Sequence, residues 1–189
     1  MDSKCRKGGI MSTTVSNNPM LWVNAYLKEK IEQELRVNFD PLFTVPFFPS
    51  TPTALEDLYT LFPEGGSMCT YDRMFRMRRT PFPHIKAEQA LYYFYAIGNN
   101  PVVTMIQIQE AIFRIMDRED ETAEELNSWT KGKSIGDLTC KFYFHRFKIY
   151  QLEEIRDIID FGSARTYAGN KVIVDFEYHQ DESLVKRTI

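Results

Sequence analysis

The sequence predicts an α+β domain: a mostly antiparallel sheet with one long helix packed on a face, plus an N-terminal helix and a proline-rich extended arm. Three observations predict it. Aromatic-rich segments with two-residue alternation occur at 85–97, 140–154 and 168–179, the pattern of strands. One long apolar segment, 101–118, instead repeats at three- and four-residue steps. Helical and strand patterns are segregated along the chain rather than strictly alternating, as in α+β folds.

Bulk properties narrow the classes. A chain of 189 residues with 43% hydrophobic and 26% charged residues has room for one ordinary domain with a substantial core. The net charge of −3 disfavours binding nucleic acid with the whole surface, which leaves only a local patch for that purpose. Cys5, Cys69 and Cys140 are few and widely spaced, which fits a reducing compartment better than a disulfide scaffold. No apolar run is long enough to span a membrane. The first 18 residues are polar, lack a hydrophobic signal core and read as a flexible arm, with Met11 an alternative start to Met1. Residues 19–189 are expected to form a single domain with its core in 82–180, cytoplasmic in the cell that makes it.

The elements follow in order. "PMLWVNAYLKEKIEQELRV" places Met20, Val23, Leu27, Ile31 and Leu35 on one helical face, with Lys28, Glu29, Lys30 and Glu32 on the wet side. Pro41, Pro46, Pro49 and Pro52 forbid a central strand in the next segment and predict an extended ribbon laid over an edge. Thr51 and Pro52 are suited to start a short helix that Pro63 and Gly65-Gly66 end. In "IKAEQALYYFYAI", Leu91, Tyr93, Tyr95 and Ile97 share one face and Tyr92 and Phe94 the other, with Lys86 and Glu88 directed outward. Asn100 and Pro101 open the long helix, whose predicted apolar face is Val102, Met105, Ile106, Ile112, Phe113 and Met116. "DREDETAEELNSWTKGKSIGDLT" reads as a long polar connection. "CKFYFHRFKIYQLEE" alternates as a strand, with Tyr143, Phe147 and Ile149 opposite Phe142, Phe144 and Tyr150. Residues 155–166 fit a continued, bulged strand or a short helix. Gly169-Asn170 is a turn signal before a last strand with Val172, Val174, Phe176 and Tyr178 on one face.

Catalytic and cofactor motifs are not found in the sequence. His84, His145 and His179 lie far apart in the chain, and Cys140 and His145 are spaced for opposite strand faces, so no metal site is expected. Nucleophile elbows and phosphate-binding glycine loops are lacking as well. Cys69, close to the arginines, reads either as an activated thiol or as a small buried hydrophobe. The acidic runs read as solvated faces. No enzyme activity and no cofactor are expected.

The conspicuous feature is Arg73, Arg76, Arg78 and Arg79 in "YDRMFRMRRTPFPHIKAEQ", with Phe82 beside them. Arginine with aromatics and methionine is the composition of protein-interface hot spots. The same residues suit a charge-plus-stacking surface for nucleic acid, or a surface hairpin with local ion pairs. An acidic block, Asp117, Glu119, Asp120, Glu121, Glu124 and Glu125, with Arg118 its one basic residue, offers a complement. A head-to-tail ring would seat one subunit's basic block on its neighbour's acidic block.

From Phe82 to Gln180 the order of elements resembles the tail terminator and tail-completion (neck) proteins of tailed bacteriophages, above all those of contractile tails. The resemblance is carried by the strand "IKAEQALYYFYAI", the helix "PVVTMIQIQEAIFRIM", the strand "FYFHRFKIYQLEE" and the closing "NKVIVDFEYH". The N-terminal helix and proline ribbon have no counterpart in that pattern. The resemblance implies a homo-hexameric ring in the virion that joins the tail tube to the head-side connector, with surfaces rather than an active site as its working parts. It implies contact with DNA in the lumen as a secondary role for the arginines, and no membrane partner. The alternative expectation is a nucleic-acid-binding module using the Arg73–Arg79 hairpin.

Overall fold

A computed structural model describes residues 17–48, 60–79, 82, 84–116, 122–152, 156–160 and 165–181; at 73–79, 122, 151–152, 156–160 and 165–166 the description is of the backbone. Helix α1 runs Pro19–Asn38. Strand β1 is Phe47–Phe48, β2 Gly66–Arg79 and β3 Lys86–Ile97. Helices α2 (Pro101–Met116) and α3 (Thr122–Thr130) follow. A small hairpin, β4 (Ser134–Ile135) with β5 (Leu138–Thr139), precedes β6 (Phe142–Leu152), β7 (Arg156–Asp160) and β8 (Arg165–Gln180).

The fold is α+β. Its main sheet has the order β1-β2-β3-β8-β6, with β7 also paired to β8. Every pairing is antiparallel except β1 on β2, which makes the sheet mixed. Strand β8 is the hub, because its length lets β3 lie along one side while β6 and β7 share the other. The bulged continuation of β6 expected at 155–166 is therefore the strand β7, and the short helix is ruled out over Arg156–Asp160.

One core joins the elements. On the sheet face that meets the helices stand Ala90, Tyr92, Phe94 and Ala96 of β3, Val172, Val174, Phe176 and Tyr178 of β8, and Phe144, Phe147 and Ile149 of β6. Against them lie Trp22, Tyr26, Leu27, Ile31 and Leu35 of α1, Met105, Ile108, Ile112 and Ile115 of α2, and Leu126 of α3. Tyr26 fixes the junction, meeting Trp129 and Phe147 edge-on at centroid distances of 5.6 and 5.7 Å. Helix α1 starts as expected: the Leu21 amide donates to Asn18 Oδ1 at 2.9 Å, and Pro19 occupies the first turn. Asn17, just before it, is already docked, donating to the Thr139 carbonyl and accepting from Trp22 Nε1.

The proline ribbon lies over an edge. Val45 donates to Glu32 Oε1 of α1 at 3.0 Å, and the Pro46 carbonyl accepts from the Cys69 amide at 2.8 Å. The helix beginning at Thr51 falls outside the described residues up to position 59.

Several sequence expectations need correction. Among the described residues three helices, α1, α2 and α3, pack on the sheet face, where the sequence pattern predicts the long helix alone, with the N-terminal helix as an addition. The exposed positions of α2 include Ile106 and Phe113, while Ile108, Ala111 and Ile115 face the core; a segment apolar nearly all round does not fix its own phase. The polar connection contains α3 and the β4–β5 hairpin. Gly169 and Asn170 sit inside β8, paired with Tyr95 and Phe94, and do not turn. Glu88 is buried rather than outward, accepting a hydrogen bond from Tyr178 Oη.

In β6 a bulge overturns the simple alternation. Phe144 pairs with Tyr178 and Arg146 with Glu177, so His145 is an extra residue. That insertion reverses the parity, and Phe144, Phe147 and Ile149 all reach the core.

Gly65 shows where the backbone tolerates no side chain. Its φ is +94°, and a Cβ there would lie 3.0 Å from Gly98 Cα and from the Ile97 carbonyl oxygen. Gly65→Ala is expected to destabilise the protein by roughly 1–3 kcal/mol. Gly132→Ala, at φ +73° with no atom within 4 Å, should cost only ~1 kcal/mol. Urea unfolding of the two variants checks the difference.

Candidate functional site

The arginine-bearing segment is the outer part of β2, hydrogen-bonded on one side to β3. Arg73 lies opposite Ala90, Arg78 opposite Ala87 and Arg79 opposite Lys86. Between Met74 and Arg78 the register shifts, so Phe75, Arg76 and Met77 oppose Glu88 alone. Such an irregularity bends an edge strand and interrupts its hydrogen-bonding rim. On its other side, among the described residues, β2 is covered only at Cys69 and Thr70, by β1. From Tyr71 outward its rim has no strand partner among them. Phe82, in the connection to β3, is 56% exposed and leans on His84 at 6.1 Å between ring centroids.

The opposite edge of the sheet is finished differently. Helix α3 packs on β6, and Asn127 takes both backbone groups of Phe144, donating to its carbonyl at 2.7 Å and accepting from its amide at 2.9 Å. An amide side chain thus stands where a further strand would bind. Of the expected acidic block, Asp117, Glu119, Asp120 and Glu121 lie outside the described residues. Glu124 is exposed on α3. Glu125 is engaged within the chain, accepting from Tyr26 Oη at 3.0 Å and standing 3.7 Å from Lys30 Nζ. The basic strand and the helix bearing Glu124 therefore occupy opposite edges of one sheet; within a chain they do not meet.

Helices α1, α2 and α3 all lie on one face of the sheet. On the other, Leu91 and Tyr93 of β3, Ile173 and Asp175 of β8, and Lys148 and Tyr150 of β6 are half-buried. Gln89 crosses this face to Asp175 at 2.6 Å. At one end, Met68, Ile97 and Tyr167 form a small second cluster under Phe48, Phe62 and Tyr95.

Chemically reactive groups are mostly sequestered. Cys69 is buried in the core, and burial pushes its thiol well above the ordinary range; the activated-thiol reading is thereby overturned. Burial likewise raises the Tyr92 phenol, which donates to Asn24 Oδ1 at 2.6 Å. A broad cleft of about 640 Å³ between the end of α3, the β4–β5 hairpin and the start of β6 is lined by Lys131, Lys133, Cys140, Tyr143 and Asp181. Lys133 is held at 2.7 and 2.8 Å by both oxygens of Glu29, over the Trp129 ring.

His84, His145 and His179 are far apart in the chain, yet the fold gathers them. Tyr143 pairs with His179, and the bulge adds His145 beside them. His145 Nε2 lies 2.7 Å from His179 Nδ1, and the His84 ring meets His179 edge-on at 6.4 Å between centroids. Only the strand register and the bulge, neither visible in residue spacing, could have linked them. Among the described residues no group of three or more histidine, cysteine, aspartate or glutamate side chains is placed to hold a metal ion. No described helix is long and apolar enough to cross a membrane.

Compared with protein-family models and with curated proteins, the sequence matches no family and no characterised relative.

Two outcomes follow from these environments. Cys69 should resist iodoacetamide in the native protein and react only on unfolding, read by mass spectrometry of the alkylated chain. For His145, burial and then the charges of His179 and His84 hold the imidazole below its ordinary value of 6.5, against the pull of Glu177. Because the folded value is depressed, the fold favours the neutral ring: this contribution is present above the unfolded value and lost as pH falls through the folded one. Thermal stability in a chelator-containing buffer should thus decline as pH drops below about 6.5, and His145→Gln should shallow that decline.

Proposed function

We infer that the chain is a virion structural protein: a subunit of a tail terminator or neck ring that joins the tail tube to the head-side connector. The observation that carries this reading is the placement of the arginine strand and the Glu124-bearing helix at opposite edges of one sheet. Heterologous association needs two different, complementary surfaces on opposite sides of a subunit, and ring closure then follows from the rotation between neighbours. The rim of β2 beyond Tyr71, without a strand partner among the described residues, and the half-buried Tyr93, Ile173 and Tyr150 on the sheet's other face add surface that a neighbour or the tube would bury.

The resemblance of 82–180 to contractile-tail completion proteins supplies the station in the virion and the expected count of six. In that reading α2 is the long helix packed on the sheet, and α1 with the proline ribbon is an addition. The arginines contribute specificity and association rate more than raw affinity, and they also discourage indiscriminate pairing along the β2 rim. DNA in the ring lumen is the second reading for the same residues, favoured by their clustering in a net-acidic chain.

Multi-angle light scattering on the full chain should give a ring mass, six subunits being expected. Arg78→Glu and Glu121→Arg should each weaken assembly at least roughly tenfold, about 1.4 kcal/mol, and the double variant should recover it. Assembly unaffected by either single reversal would remove the proposed contact. Steeply salt-dependent binding to duplex DNA, lost in Arg78→Glu while assembly persists, would favour the second reading.

A further inference from the structure

We propose that His145 and His179, with His84 as third donor, form a binding site for a divalent late-transition-metal ion, zinc(II) foremost. Three separate segments bring these rings together: the β2–β3 connection, the bulge of β6 and the end of β8. The His145 and His179 rings stand 4.8 Å apart between centroids, and His84 is 6.4 Å from His179. Imidazole nitrogen suits zinc, nickel and copper among the divalent ions.

The nitrogens that face one another are the ones an ion would use. His145 Nε2 and His179 Nδ1 are 2.7 Å apart, and in the metal-free protein one donates its proton to the other. Two nitrogens sharing a tetrahedral zinc at about 2.0–2.1 Å sit ~3.4 Å apart. Entry of the ion therefore replaces that hydrogen bond by two coordinate bonds, the ring that donated it carrying its proton on the other nitrogen as the neutral tautomer, and parts the rings by under an ångström. His145 is exposed and His179 half-buried, so the movement needs no change in the core. His84, exposed at the start of β3, swings the third nitrogen in, and water completes the shell.

Tyr143 packs beside both rings, at 5.2 Å from His145 and 5.6 Å from His179. Position 145 follows the core-facing Phe144 and so shares the outer face of the sheet with Tyr143 and His179, and the bulge leaves His145 with no residue opposite it. A bound ion would cross-link the connection following the arginine strand to β6 and β8, setting the angle at which that strand is presented.

The test is calorimetric titration of zinc chloride into tag-free, full-length protein at slightly alkaline pH, where imidazoles are neutral. One zinc per chain is expected, with a raised melting temperature and weakening as pH falls and protons compete. His145→Gln and His179→Gln should each reduce affinity at least about tenfold, and His84→Ala several-fold, whereas Cys140→Ser should change nothing. Circular dichroism of each variant confirms the native fold, and Glu29→Gln, which alters a distant charge, serves as a surface control. Absence of zinc binding by the folded wild-type chain overturns the proposal, as does binding that survives both His145→Gln and His179→Gln.

Discussion

The structure depends on one constraint: β8 must hold a single register against β3 on one side and against β6 and β7 on the other. Tyr92 opposite Val172, Ala90 opposite Val174 and Glu88 opposite Phe176 put the large apolar groups on the face that α1, α2 and α3 cover. Because successive side chains alternate faces, a slip of one residue would exchange this set for Lys171, Ile173, Asp175 and Glu177. Phe176 would then leave the aromatic layer it forms with Phe94 and Phe144 and face the other side of the sheet. The bulge at His145 is what lets β6 join the same face despite an alternation that otherwise runs the wrong way.

The placement of α1, α2 and α3 on one face has a further result. The other face holds Tyr93, Tyr150 and Ile173, half-buried among polar neighbours, and the rim of β2 beyond Tyr71 lacks a strand partner among the described residues. At β6 the equivalent problem is answered inside the chain, by Asn127 bonding both polar groups of Phe144. The asymmetry between a capped edge and an open, arginine-rich edge is the physical basis for assigning the protein to a surface-driven task.

Much of the scaffold was legible in the sequence. The period of Met20, Val23, Leu27, Ile31 and Leu35 marked α1 with its buried face, and the prolines after Asp40 placed the ribbon at an edge. What escaped has identifiable causes. Ile106 and Phe113 misled because α2 is apolar almost throughout, so its orientation is decided by α1, β3 and β8 rather than by its own pattern. Gly169-Asn170 carries turn chemistry, but pairing to Tyr95 and Phe94 overrides it. Leu126 and Asn127 were hidden in a segment whose charges suggested a loop, although their burial makes it a helix. The histidine cluster was beyond reach because it depends on an inserted residue in β6. For the surface itself, composition pointed to Arg73–Arg79 and the acids, while their assignment to opposite edges required the strand order.

The central claim is that neighbouring copies join through opposite edges of the sheet. Electron cryo-microscopy of the purified assembly tests it most directly. The account predicts a closed ring in which the β2 rim of each subunit lies against the α3 side of the next. Subunits related by a two-fold axis through like edges, or a chain that stays solitary both alone and on tail tubes, would contradict it.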